Sequence, residues 1–69
     1  MIRKGILKAF DSGTFLASVQ LIGSLSVYLD NVPTSRAIAS GDMVTGRNVA
    51  VLFLDPSNFL DAVVIAVWT

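Results

Sequence analysis

Side chains able to do chemistry are sparse in this 69-residue chain. It has no histidine and no cysteine, and its five acids are all aspartates: Asp11, Asp30, Asp42, Asp55 and Asp61. A hydroxyl nucleophile needs a base beside it and a third group to orient that base. Ser12, Ser18, Thr34 and Ser35 supply hydroxyls, but no motif places a lysine as their base. Local turn hydrogen bonding accounts for them better. The aspartates are well separated, with no two at a metal-ligand spacing. That excludes a structural zinc and argues against a carboxylate metal site. Arg36 and Asp42 flank one irregular stretch and could form a structural ion pair, within a chain or between subunits. The residues imply no enzyme and no cofactor.

One binding chemistry remains. Arg3, Lys4 and Lys8 form a basic trio near the aromatics Phe10, Phe15 and Tyr28. Small barrels that bind single-stranded nucleic acid set aromatic platforms beside a basic groove. Phe15, however, shares its parity with Ala17, Val19 and Leu21, which is how a core aromatic is placed. That leaves Tyr28 as the platform. Net charge is zero and the pI about 5.9, whereas nucleic-acid binders carry a basic excess. A small OB- or Sm-like barrel binding single strands is therefore the alternative function, not the first.

The elements that must position these residues read as strands. Arg47 to Asp55 (RNVAVLFLD) and Asp61 to Trp68 (DAVVIAVW) are apolar, largely β-branched or aromatic runs with no polar alternation. Such runs have the composition of strands covered on both faces. The linker from Pro56 to Leu60 opens with proline and turn formers, so the two runs form a hairpin. Met1 to Phe10 is a first strand with apolar residues on both parities, as when one strand coils across two parts of a barrel wall. At Asp11-Ser12-Gly13-Thr14 the chain turns, and Gly13 is expected to supply the positive φ. Thr14 to Ile22 alternates cleanly. The same parity continues past a bend at Gly23-Ser24 into Leu25, Val27 and Leu29.

Asn31 to Ser40 reads as an irregular connection or weak edge strand, because Pro33 has no N–H to give a central ladder. Val32 and Ile38 are expected to tuck under the barrel end. Gly41 and Gly46 bracket a loop with room for one helical turn, and at least one of them should have positive φ to set the register of the fourth strand. Five short strands with almost no helix predict a single all-β domain over residues 1–69, a small five-stranded OB-like or SH3-like barrel.

A domain this small hides only about 60% of its unfolded surface. With neither disulfide nor metal, oligomerisation is the remaining staple. The 54% apolar content and mean hydropathy of +0.72 agree. Phe15 to Leu29 is too short and too rich in serine for a membrane span, which needs roughly 20 apolar residues. The N-terminal apolar stretch is broken by Lys8 and Asp11, unlike a signal peptide. If Val49, Val51 and Phe53 point inward, Ala50, Leu52 and Leu54 point out. With Val63, Ile65, Val67 and Trp68 of the fifth strand they are the expected subunit interface.

The order KGILKAFD, turn, FLASVQL, LSVYLDNVP, GDMVTGRNVAVLFLD and DAVVIAVW resembles the small OB-fold barrel of phage baseplate hub and spike proteins. Gly5, Val19, Leu21, Gly41, Asp42, Val49, Val51, Phe53, Pro56, Val63 and Val64 sit where that pattern would put them. The likeness covers about residues 3 to 68 and consists mostly of barrel hydrophobics plus two glycines. Ala66-Val67-Trp68 departs from it, since the pattern usually has glycine there. The resemblance implies a phage-particle component, tail- or baseplate-associated or a capsid decoration, located in the virion. It would act as a structural block in a symmetric homo-oligomer, trimer or higher, among other virion proteins.

Overall fold

The computed structural model describes residues 1–23, 27–55, 57–58 and 61–69. Ser24, Leu25 and Ser26 of the expected bend, and Pro56, Phe59 and Leu60 of the hairpin linker, lie outside the described residues.

Five strands form: β1 (Ile2–Asp11), β2 (Leu16–Leu21), β3 (Val27–Pro33), β4 (Asn48–Phe53) and β5 (Ala62–Trp68). The helical content among the described residues is one 3-10 turn, Ser40–Asp42. The strands make a single antiparallel sheet in the order β3-β2-β1-β4-β5. The sheet is not closed into a barrel. Its ends approach through one isolated parallel bridge, Thr34 to Val64, with the Ser35 amide donating to the Val64 carbonyl at 2.8 Å.

β4 shows how an apolar run becomes two-sided. Val49, Val51 and Phe53 are buried, while Asn48, Ala50 and Leu52 are half-buried. The other strands keep the core supplied by shifting register. Lys8 is an extra residue between the pairs Leu7–Val19 and Ala9–Ser18, so Leu7 and Phe10 both face the core. This bulge is why β1 carries apolar residues on both parities. In β3 an extra residue opposite Ser18 lets Leu29 and Val32 both turn inward. Asn31 sits there at φ 57, a backbone state asparagine tolerates better than most residues. In β5 the extra residue is Ile65, so the core positions run Ala62, Val64 and then Val67.

Burying a Val, Leu or Phe side chain is worth about 1.5–3 kcal/mol. Leu7, Val19, Val49, Val51, Phe53 and Val64 are each at most 1% exposed, and they come from four strands, so no strand can bury its face alone.

One turn departs from expectation. At the β1–β2 turn the positive φ belongs to Phe15 (56°), not to Gly13. The Asp11 side chain accepts from the Gly13 amide at 2.9 Å, and the Asp11 carbonyl from Phe15 at 2.8 Å. Those bonds fix a turn whose left-handed residue is the one that leaves it. Phe15 is consequently half-buried outside the core. Its ring meets Phe10 edge-on at 5.2 Å, and the Arg36 guanidinium lies 4.9 Å above it. Its carbonyl accepts from Thr34, and together these contacts offset a left-handed strain of about 1–3 kcal/mol.

The 40–46 loop is stitched to β1. The Gly46 amide donates to the Leu7 carbonyl at 2.8 Å, and the Leu7 amide to Arg47 at 2.9 Å. Gly46 has φ 96, the positive value expected at one of the two glycines, whereas Gly41 does not. Met43 anchors the loop in the core.

Candidate assembly interface

The outward face of the sheet is built from the residues that alternate with the core. Strand registers align its side chains in rows. Ile2 lies opposite Leu52, and Leu52 opposite Val63. In the next row Ile22, whose amide donates to the Lys4 carbonyl at 3.0 Å, leads to Lys4, Ala50 and Ala66. The third row crosses the whole sheet as Tyr28, Gln20, Ile6, Asn48 and Trp68. Lys4 is the single charged side chain in these rows. Leu54 extends the face past the end of β4 and is 64% exposed.

Most residues expected at the interface are on this face. Ala50, Leu52 and Val63 are half-buried, and Leu54, Ile65 and Trp68 are exposed. Val67 is corrected: the Ile65 bulge reverses the parity, and Val67 packs against the core while Ala66 turns outward. Three exposed apolar residues were missed, Ile2 (59%), Ile22 (46%) and Tyr28 (61%). The spacing Ile2, Lys4, Ile6 held the signal for β1, but only the pairing of β1 with β4 brings Ile2 beside Leu52.

The other candidate groups do not converge. Within the chain Arg36 and Asp42 do not pair with each other. Arg36 stacks on Phe15, and the Asp42 carbonyl accepts from Arg47 Nη1 at 3.1 Å. Arg3 is half-buried with Nη2 at 3.5 Å from the Ile22 carbonyl, Lys4 belongs to the apolar face, and Lys8 occupies the β1 bulge. Phe10 packs against the core and meets Phe15 edge-on, and the Phe15 ring is covered by Arg36. An open depression of about 410 Å³ near the β1–β2 turn is lined by Asp11, Thr14, Ser18 and Asn31 over Ala9 and Leu16. No basic side chain lines it.

Among the described residues Ser35 Oγ accepts from the Ala37 amide at 3.3 Å, and the Thr34 hydroxyl is buried without a partner. No three potential metal ligands come together among the described residues. Asp55 accepts from both Ser57 Oγ (2.8 Å) and the Ser57 amide (3.0 Å), and these bonds hold its carboxyl below the ordinary value. Among the described residues, no helix is long and apolar enough to cross a membrane. No family model matches this sequence, and comparison with curated proteins and with solved structures returns no match.

Proposed function

We propose that this protein is a structural subunit that assembles with copies of itself through the outward face of β1, β4 and β5. One observation carries the proposal: Ile2, Leu52 and Val63 form an apolar row across three strands of a single small domain, with exposed Leu54 beyond β4 and exposed Ile65 and Trp68 along β5. Contiguous apolar surface of this kind marks interaction sites rather than ordinary monomer surface. Each Leu-sized side chain covered there adds about 1.5–3 kcal/mol. A handful would match the whole stability of a small domain.

The finer fold in this proposal is an OB-like barrel. Its support is the order β3-β2-β1-β4-β5 together with the parallel approach of Thr34 to Val64, the order in which such a barrel would close. The setting is a phage particle, with the block in the tail, baseplate or capsid surface, and it rests on the residue pattern around Gly5, the Gly41-Asp42 pair and β4. Nucleic acid is not its partner: the basic residues are dispersed, and zero net charge leaves little counterion release to drive binding.

Sedimentation tests the assembly. The wild type should sediment well above 7.3 kDa at micromolar concentration. Ile2→Asp and Leu54→Asp, both at exposed positions, should shift it toward monomer more than Ser18→Asp does. A monodisperse wild-type monomer, or equal tolerance of all three changes, would refute the proposal.

A further inference from the structure

We infer that the depression near the β1–β2 turn is a binding site for a neutral saccharide. The sheet makes room for it at Ser18. The extra residue of β1, Lys8, and the extra residue of β3 beside Asn31 lie on the two sides of this one position in β2. A bulge bends its strand and disrupts the local ladder, so two of them flanking Ser18 open the sheet there. Asn31, at φ 57, has no partner in the β2 register and lines the opening. Left-handed backbone at a non-glycine residue gathers at ligand sites. Here it coincides with a depression of about 410 Å³, within the range of about 300–1,000 Å³ common for small-molecule sites.

The lining selects the ligand. Asp11, Thr14, Ser18 and Asn31 present a carboxylate, two hydroxyls and an amide over Ala9 and Leu16. Asp11 Oδ1 accepts from the Gly13 amide. Among the described residues, the side chains of Thr14, Ser18 and Asn31 make no hydrogen bond. Donors and acceptors are therefore interspersed and open, and the hydroxyls of a sugar are both at once. An anion would meet Asp11 and no basic side chain. A hard cation takes six or more oxygen ligands, and Asp11 is the one carboxylate in the lining. An apolar ligand would cover four polar groups that it cannot satisfy.

Tyr28 stands in the next row of the same face. It pairs with Gln20, two residues from Ser18 along β2, and is 61% exposed. The ring face is negative, so the C–H groups on one side of a pyranose pack against it. The site is separate from the assembly face, because Ile2 begins β1 and Asp11 ends it. Occupancy and assembly can accordingly be read one without the other.

An NMR titration of the intact chain tests this, with methyl glycosides of glucose, galactose, mannose and N-acetylglucosamine as probes. At least one should give saturating shifts at Asp11, Thr14, Ser18 and Asn31 while the Ile2 and Leu52 amides stay in place. Asn31→Gly deletes the side-chain amide and leaves a residue that accepts φ 57 without strain. Tyr28→Ala deletes the ring. Each should weaken binding about ten-fold, the worth of one hydrogen bond or one stacking contact, with the circular dichroism of the wild type retained. No saturating shift with any of these glycosides overturns the inference, and so does saturation by inorganic phosphate or calcium in their place. Shifts centred on Ile2 and Leu52, or unchanged affinity in both folded variants, would put the sugar elsewhere and overturn the site.

Discussion

Gly5 lies at the centre of the sheet, with Leu21 on one side and Val49 on the other, and it is the point where this packing is least forgiving. A Cβ built there would stand 2.5 Å from Val19 Cγ1 and 3.0 Å from the Gln20 carbonyl oxygen. Neither neighbour can yield cheaply. Val19 is fully buried and β-branched, so its χ1 has little freedom, and the Gln20 oxygen belongs to the ladder itself. Gly5→Ala must therefore push β1 away from β2, at about 1–3 kcal/mol for overpacking of this kind. In a domain of this size each kcal/mol moves the thermal midpoint by about 4–8 °C. The expected fall is thus roughly 5–20 °C, measured by circular dichroism at one fixed protein concentration because assembly shifts apparent stability. Val19→Ala removes the obstructing methyl while costing a cavity of its own. In that background Gly5→Ala should cost less, a coupling of about 0.5–3 kcal/mol. An unchanged midpoint for Gly5→Ala, or the same loss with and without Val19, would show that β1 and β2 do not approach as described.

Three further outcomes can be checked independently. Gly46→Ala places a side chain at φ 96 and should cost about 1 kcal/mol or more, whereas Gly41→Ala meets open space at ordinary φ and should be nearly neutral in the same melt. Thr34→Val replaces a buried, unpartnered hydroxyl with a methyl of similar shape and should raise stability by about 1 kcal/mol; a loss would mean that the hydroxyl has a partner. Asp55 should titrate below the ordinary aspartate value in a carboxyl NMR titration, and Ser57→Ala should move it up. Because the folded value is depressed, its contribution to stability is present above the unfolded pKa and is lost as pH falls through the folded one. At a fully exposed carboxyl that dependence should be small.

Strand content was legible in the sequence because it follows from local composition. β-branched and aromatic runs at β4 and β5, clean alternation at β2 and turn formers at Asp11 to Thr14 are sufficient to place five strands and almost no helix. The inward set Val49, Val51 and Phe53 was also legible, since β4 keeps a strict period of two. Pro33 correctly marked the limit of an edge strand, and the loop glycines marked a constrained entry into β4, which Gly46 makes against Leu7. Tertiary structure alone decided the facing of β1, β3 and β5. Each carries one extra residue, at Lys8, beside Asn31 and at Ile65, and a bulge is visible only against the strand it pairs with. The same reason accounts for Val67 turning inward, for Ile2 joining Leu52, and for Phe15 leaving the core to stack under Arg36. Local sequence determines which residues are extended and apolar; pairing across the sheet determines which side of it they occupy.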